Sequence, residues 1–446
     1  MIAVSIVSFC IAIFLILEHI VRKTDFFSPA RIYLFFHSIA LGVAFIAWDK
    51  AMTPFKPFTS VVYFGSGICF LLGVWSVQLL ARLSGKDASV RRPLDLGRYN
   101  WGLHLLFAFV LFFFFAWGMA GAFRGAGTFP LFAKEKLKAI HDFMTQKWSY
   151  SFALSYAGIA MALFYMSIFR PRRLPKIFNL SIWMTVISAM IFSLALSRSA
   201  LMFFAFFALV FYNEAIRRLS VLKLFNFFLI CFAIIFVSGF FKVNGFEKNT
   251  LNIKKPSKIL LPMLKVPYMY FANNFWNLDY ALNPENYQER HPTTYGFTML
   301  EGALDAMKVP GGTLGGGLRE GTKIDNQFNA SAAKSRGWNT IGYQWTLYKD
   351  FGLAGVLLGP FIIGFGLSLL YFKVCSQPSL LNVAVYSYLA YFVAISCFGF
   401  FSESPTYTYG LIYLCLCCYL SQSTFSGRRT LALNPAGPTS PESQLS

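Results

Sequence analysis

Apolar stretches of about 20 residues follow one another along most of this chain, the length that an α-helix needs to cross roughly 30 Å of hydrocarbon. They do not alternate apolar and polar residues as membrane β-strands do. The first stretch has no basic segment before it and no small-residue cleavage site after it, so we expect a retained span. The pattern predicts about eleven membrane-spanning helices, near residues 2–21, 31–48, 60–81, 101–121, 150–169, 178–196, 200–216, 224–241, 352–372, 380–400 and 407–421.

The overall composition agrees with a membrane environment. Hydrophobic residues make up 56% of the 446 positions and charged residues only 13%. This leaves too little polar surface for a soluble globule of this length. We therefore expect an all-α integral membrane protein.

The formal net charge of +20 is concentrated in particular loops. Basic residues cluster after the odd-numbered spans, at Arg22, Lys23, Arg31, Arg82, Lys86, Arg91, Arg92, Arg98, Arg170, Arg172, Arg173, Lys176, Arg217, Arg218 and Lys223. The positive-inside rule places these loops in the cytoplasm and the N-terminus outside. The polar segments 122–149 and 242–340 are then expected on the outer face. Because the charge follows the topology, it gives no reason to expect a nucleic-acid partner.

This topology divides the chain into consecutive parts. Residues 1–241 carry the spans before a long outer loop at 242–340, residues 341–421 carry the last spans, and 422–446 form a Pro- and Ser-rich tail that we expect to be disordered and cytoplasmic. The loop is far longer than a connection needs, and long ordered loops are usually functional. Its aromatic residues between Tyr268 and Tyr280 predict helices that lie against the membrane surface and fold back over the bundle.

Ser197-Arg198-Ser199 joins two apolar stretches with almost no loop between them. An arginine at this depth needs an anion, a carboxylate or backbone carbonyls to offset its desolvation. Its fork of N–H donors matches phosphate oxygens, so Arg198 is a candidate ligand for a diphosphate headgroup. The alternative is an arginine whose long side chain merely reaches the interface.

The long loop is basic in both halves. The first half carries six lysines, Lys258 and Lys265 among them, against the single acid Glu247. These lysines either attract anionic headgroups or simply face solvent and lipid. The second half places its candidate groups amid glycines, whose backbone can approach a ligand closely: Arg290, His291, Arg319 and Arg336.

Several kinds of chemistry lack the residues that they need. The sequence contains no GxxxxGK[ST] loop, no HExxH and no Asp-x-Asp pair, so ATP hydrolysis and nucleotide-sugar transfer are not supported. The cysteines have neither the spacing nor the His neighbours of a metal site, and we expect no metal or other cofactor. His19, His37 and His104 fall within predicted spans, where we expect them to pack or to hydrogen-bond between helices.

A family resemblance begins at residue 338. Trp338-Asn339-Thr340 followed by Tyr348-Lys349-Asp350-Phe351-Gly352-Leu353-Ala354-Gly355 resembles the signature of O-antigen or oligosaccharide repeat unit polymerases of the Wzy type. Other segments resemble the same family: Gly127-Thr128-Phe129-Pro130-Leu131-Phe132, Ser197-Arg198-Ser199, and Asn277-Leu278-Asp279-Tyr280 leading to Thr294-Tyr295-Gly296-Phe297. Their order and predicted topology match that family between residues 120 and 375.

The resemblance implies a GT-C-like membrane glycosyltransferase on the periplasmic face of a bacterial inner membrane. Its donor would be an oligosaccharide on undecaprenyl diphosphate, and its partners would include membrane lipid, a flippase and a chain-length regulator. Such a site must stabilise charge on the departing diphosphate, which arginines can do without a metal. The implied site contains Arg198 and Arg336 for this charge, His291 or Asp350 as a base, and Arg290, Arg319, Asn339, Tyr348, Lys258 and Lys265 for substrate binding. Asp350 could instead cap a helix that begins at Phe351.

Two other functions stay open. An O-antigen ligase shares the topology and the diphosphate-linked donor but passes glycan to a lipid A core or a protein. The segment with Asn339 and Asp350 favours the polymerase over the ligase. A transporter or flippase for lipid-linked glycans would carry polar residues through several spans, whereas the charge here collects on one outer face.

Overall fold

The fold is that of a computed structural model of the whole chain. The structure describes residues 1–22, 24–46, 55–85, 94, 100, scattered positions between 103 and 120, 198–215, 218–220, 222–226, 229, 260–283, 295–296, 298–300, 341–399 and 405–423. Over these residues the chain forms helices and turns without any β-strand, as the sequence predicted. Helices with defined bounds in this part are α1 (Ile2–Arg22), α2 (Pro29–Ala44), α3 (Pro57–Leu83), α4 (Arg198–Ala215), α5 (Leu260–Ala281), α6 (Tyr343–Ser376), α7 (Leu380–Ala394) and α8 (Pro405–Ser423).

By length and composition, α1, α3 and α6 could each cross a membrane, whereas α2 and α7 are apolar but shorter. The described helices therefore agree with a helical membrane protein. The spans predicted near 101–121, 150–169, 178–196 and 224–241 lie wholly or largely outside the described residues, and so does the tail after Ser423.

Local sequence explains where several helices begin. α2 and α3 start at Pro29 and Pro57, whose fixed φ suits the first turn and whose missing N–H is not needed there. At the start of α7, the Ser379 hydroxyl accepts a hydrogen bond from the Asn382 amide at 3.1 Å and caps the helix. The residues at the first turn therefore explain where these three helices begin.

The packing of α6 along α3 is the most extensive between described helices, and glycines make it possible. An ideal Cβ on Gly73 would lie 2.2 Å from the Phe361 carbonyl oxygen, and one on Gly364 would lie 2.3 Å from the Phe70 carbonyl oxygen. Small residues of this kind let two helix backbones approach closely in a membrane protein. The two helices run in the same direction, because Ser66 contacts Gln344 near their starts and Val74 contacts Ser368 further along.

The helix α6 begins earlier than the span that the apolar pattern predicted near residues 352–372, because its first residue is Tyr343. The helix is interrupted at Gly352, which has φ 59° and ψ −147°, a conformation that is open to glycine and closed to other residues. The segment before the break carries buried polar side chains and therefore did not resemble a span.

The helix α5 lies within the long loop and packs on α2. Its Phe275 ring meets the rings of Tyr63, Phe55 and Phe45, with centroids 5.2, 5.7 and 6.2 Å apart. The predicted helix is confirmed in this part of the loop. Its aromatic residues make core contacts with the bundle, where the sequence pattern suggested a helix lying on the membrane surface.

The helix connections gather at two ends of the bundle. The Tyr343 end comprises residues 44–46, 55–57, 279–283, 295–296, 298–300, 341–350 and 395–399, and the Tyr371 end comprises 24–29, 213–215, 218–220 and 371–380. The Lys56 amide donates to Asp279 at 2.9 Å at the first end, whereas Tyr371 donates to Asp25 at 2.7 Å at the second. Among the described residues, the connections predicted after spans 2 and 8 thus lie at one end, and those predicted after spans 1, 7 and 9 lie at the other.

Candidate functional site

Asp350 attaches a turn of the long loop to the first half of α6. Its carboxylate accepts hydrogen bonds from the Thr298 and Met299 amides at 3.1 and 2.8 Å. Its backbone carbonyl accepts a third hydrogen bond, from the Tyr295 amide at 3.0 Å. We call this set of contacts the Asp350 clamp. It joins residues that lie about fifty positions apart in the sequence.

The backbone of the turn fits this contact closely. Tyr295 and Gly296 both have positive φ, at 50° and 89°, which makes the turn sharp. An ideal Cβ on Gly296 would lie 3.0 Å from the Phe351 ring, so a side chain there would displace the ring. Tyr295 and Gly296 of one family-like segment therefore contact Asp350 and Phe351 of another, a relationship that their separate matches did not reveal.

The clamp gives Asp350 a structural task. Its side chain is fully buried, and each of its two carboxylate oxygens accepts a hydrogen bond from a backbone amide of the loop turn. Phe351 lies inside α6, and the carboxylate caps the 298–299 turn rather than a helix starting at Phe351. The carboxylate thus holds the loop turn against α6, while the role of Asp350 as a base stays a prediction.

Beside the clamp, the first half of α6 presents a lysine and two aromatic rings. Lys349 is buried, with its ammonium nitrogen 6.0 Å from the centroid of the Trp345 ring, within reach of a cation–π interaction. Tyr348 is only partly buried and meets Phe58 edge to face, with ring centroids 5.9 Å apart. Of these three α6 residues, the predicted substrate-binding residue Tyr348 is the most accessible.

A chain of hydrogen bonds crosses the core near the Tyr343 end. The Ser396 hydroxyl donates its only proton to the Val393 carbonyl at 2.9 Å, so His37 Nε2 donates to Ser396, at 2.8 Å. In a neutral imidazole, Nδ1 then accepts from the Tyr63 hydroxyl, at 3.1 Å. His37 therefore connects α2 with α3 and with the turn after α7, as the helix–helix role predicted for it requires.

The same chain continues to the first turn of α6. Ser66 donates to the Tyr63 carbonyl at 2.8 Å and accepts from Gln344 Nε2 at 3.3 Å. The Tyr33 ring stacks on the His37 ring at 4.1 Å, and its hydroxyl lies 3.1 Å from the Tyr343 hydroxyl. These contacts fix the start of α6 against α2 and α3.

Amide side chains are concentrated on α5 and at the start of α6. Asn273, Asn274 and Asn277 are almost fully buried on α5, and Gln344 is fully buried on α6. Both elements meet the turn at 396–398, because the Phe271 ring lies 5.1 Å from the Phe398 ring and the Tyr343 amide donates to the Ser396 carbonyl. Apart from Asn277, which begins a family-like segment, no sequence pattern marks these amides, because their burial depends on residues far away in the chain.

Most of the charged site residues predicted from the sequence fall outside the described part of the chain. Arg198 is the first residue of α4 and Lys265 lies in α5, but their side chains are not among those described. Several others lie in segments outside the described residues: Lys258, Arg290, His291, Arg319, Arg336 and Asn339. The structure therefore brings together the α6 part of the predicted site with the 295–299 turn. Within the described residues, no group of His, Cys, Asp and Glu is arranged to hold a metal ion.

A second polar cluster, at the Tyr371 end, did not emerge from the sequence. Asn213 donates through Nδ2 to Asp25 at 3.1 Å and to Glu214 at 2.8 Å, and its Oδ1 accepts from the Leu219 amide at 2.9 Å. Asp25 also accepts from the Tyr371 hydroxyl. This cluster joins the segments that contain Asp25, Asn213 and Tyr371, at the end of the bundle away from the Asp350 clamp. We interpret it as a structural contact between helices.

The described fold and site define a helical protein whose long apolar helices are suited to a membrane and whose buried polar groups form clusters at both ends of the described bundle. In comparisons with known proteins, no family model, no curated protein and no solved structure matches this chain. Its function must therefore be inferred from its own residues.

Proposed function

We propose that this protein joins oligosaccharide repeat units carried on undecaprenyl diphosphate, at the periplasmic face of a bacterial inner membrane. The observation that carries the proposal is the Asp350 clamp, because it unites the two segments whose sequences resemble repeat unit polymerases. A resemblance arising by chance would give no reason for Tyr295 and Gly296 to contact Asp350 and Phe351. The GT-C-like architecture, the full number of spans and their orientation belong to this proposal.

The proposed reaction is a glycosyl transfer without a nucleotide. A hydroxyl oxygen of the acceptor chain attacks the anomeric carbon of the donor chain and forms the new glycosidic bond. The bond from that carbon to the diphosphate oxygen breaks, and the lipid diphosphate leaves with the electron pair. The proton of the hydroxyl passes to a base or to water. Undecaprenyl diphosphate and a chain longer by the transferred glycan are the products.

The main catalytic requirement is to stabilise the negative charge that develops on the diphosphate. Preorganised arginines can meet this need, and we assign it to Arg198 and Arg336, with Arg290 and Arg319 next to the donor. Lys258 and Lys265 would hold the lipid headgroups near the surface. His291 is the candidate base, since Asp350 already accepts backbone amides in the clamp. Asn339 and Tyr348 would bind the glycan beside α6.

Deleting the gene tests the polymerase proposal directly. A strain without the polymerase should display surface glycan with a single repeat unit, and the wild-type gene should restore the long chains. Gel profiles of the surface polysaccharide make this measurement. Loss of all surface glycan with accumulation of lipid-linked long chains would instead identify a ligase, and an unchanged profile would remove both functions.

A further inference from the structure

Asn273 is a buried side chain whose amide nitrogen and oxygen both lack hydrogen-bond partners among the described residues. It is 1% exposed, and neither its Nδ2 nor its Oδ1 has a hydrogen-bond partner in the structure. Its neighbour on the next turn of α5, Asn277, is equally buried. Buried amides are nearly always hydrogen-bonded in proteins, so an unpaired one calls for an explanation.

Asn213 is a buried asparagine whose side chain is fully hydrogen-bonded to other parts of the chain, and it can be compared with Asn273. It is 3% exposed, almost as buried as Asn273, but its amide makes bonds to Asp25, Glu214 and the Leu219 backbone. The buried side chain of Asn213 thus stabilises contacts within the chain. The protein gains no such contact from Asn273 among the residues that the structure describes, and burying this amide is unfavourable for folding.

The location of Asn273 indicates what would pair with it. It lies on α5 between Phe271, which meets Phe398, and Phe275, which meets Tyr63, and therefore at the Tyr343 end. Gln344 at the same end donates to Ser66 through Nε2, while its Oε1 has no partner in the structure. An uncharged amide offers a donor and an acceptor together, which matches a hydroxyl group better than it matches a phosphate.

We propose that Asn273 binds a sugar hydroxyl of the lipid-linked oligosaccharide, with Gln344 Oε1 as a second acceptor at the same end. The proposal rests on the proposed function and assigns part of its glycan subsite. Because the Asn273 amide is covered here, α5 has to shift against the residues that cover this amide before a sugar ring reaches it. The amide then gains the hydrogen bonds that it lacks in the free protein.

Stability provides the first half of the test, using the full-length protein purified in detergent. Asn273→Leu, which is close in size, should keep or raise the thermal midpoint because no bond is lost. Asn213→Leu is the matched control and should lower the midpoint, since it removes one donor to Asp25 and Glu214 and the acceptor of the Leu219 amide. A fall for Asn273→Leu as large as that for Asn213→Leu would overturn the inference. If the leucine variant fails to fold, Asn273→Ala takes its place in both halves of the test.

Binding provides the second half. The two probes are undecaprenyl diphosphate alone and lipid-linked repeat unit extracted from the deletion strain, measured by native mass spectrometry. The wild type should bind the glycan-bearing probe more tightly, and Asn273→Leu should lose about tenfold of that preference while binding undecaprenyl diphosphate as before. A wild type without the preference refutes the proposed function itself. A preference that survives in Asn273→Leu refutes the inference alone.

Discussion

The Asp350 carboxylate accepts the Met299 amide proton across 2.8 Å, and this bond ties the long loop to α6. Its other oxygen accepts a hydrogen bond from the Thr298 amide. Asparagine at position 350 would keep the shape but turn an NH₂ group towards one of these two amides. We expect Asp350→Asn to lower the free energy of unfolding by about 1–3 kcal/mol, because one buried donor loses its acceptor. Thermal unfolding of the purified protein measures the change.

Asp279 offers a matched control for this substitution. Its side chain accepts one amide proton, from Lys56, in an exposed position, and asparagine can accept that proton equally well. Asp279→Asn should therefore change stability by about 0.5 kcal/mol or less. If Asp350→Asn abolished polymer at every growth temperature without affecting thermal stability, Asp350 would be a catalytic base and the clamp would not be its main task.

The crossing of α3 and α6 yields a second expectation. Gly73→Ala and Gly364→Ala would each place a Cβ less than 2.5 Å from a backbone carbonyl oxygen of the other helix, so the helices must separate. We expect each to lose about 1–3 kcal/mol of stability, as overpacked positions commonly do. Thermal midpoints in detergent and yields of folded protein provide the measurement.

Gly366 is the control for this pair, since it lies on α6 with nothing within 4 Å of its ideal Cβ. Alanine there should be neutral or stabilise the helix by about 0.5–1 kcal/mol, through the lower conformational freedom of the unfolded chain. Equal losses at positions 366 and 364 would mean that helix propensity rather than the close crossing determines the effect.

The sequence predicted most reliably those elements whose burial is apolar. α1, α2 and α3 lie where apolar stretches of span length lie, because an apolar surface alone identifies such helices. The start of α6 was missed, since Gln344 and Asp350 make 343–351 look like loop. Both side chains are buried through hydrogen bonds to Ser66 and to residues 298–299, which no local pattern reveals.

For the candidate site, too, the sequence predicted local segments but not the contacts between distant residues. The family-like segments were found separately in the sequence, but the contact of Tyr295 and Gly296 with Asp350 and Phe351 required the fold. The cluster around Asp25 was not predicted at all, because Asn213 and Tyr371 come from distant parts of the chain. In the sequence, Asp25 resembles any acid in a short charged connection, and only its 7% exposure identifies it as a buried joint.

The orientation of the bundle can be tested with reporter fusions. Fusions after Gly85, Arg172 and Gly427 should read cytoplasmic, because basic loops are retained on that side. Fusions after Ala122 and within residues 248–330 should read periplasmic. The Tyr371 end would then face the cytoplasm and the Tyr343 end the periplasm. A cytoplasmic signal from the long loop would reverse the bundle and remove the proposed periplasmic reaction.

The proposed diphosphate ligand Arg198 begins α4, so it stands at the helix end where partial positive charge collects. We expect Arg198→Ala to reduce polymer formation on the order of 10²-fold or more, as loss of a group that stabilises a transition state commonly does. Arg198→Lys should restore little, because lysine lacks the two-pronged donor geometry that fits phosphate oxygens. Surface glycan profiles at matched membrane levels of each variant measure the effect.

Arg22 is the control for this last expectation. It ends α1, its side chain is 74% exposed, and its contact with Glu18 spans 3.8 Å, so Arg22→Ala should leave polymer and expression unchanged. An Arg198 that only extended to the interface would be replaced well by lysine, which reaches equally far. Long polymer from Arg198→Ala at normal expression would exclude Arg198 from the mechanism, and the diphosphate would then have to be held by Arg319 and Arg336.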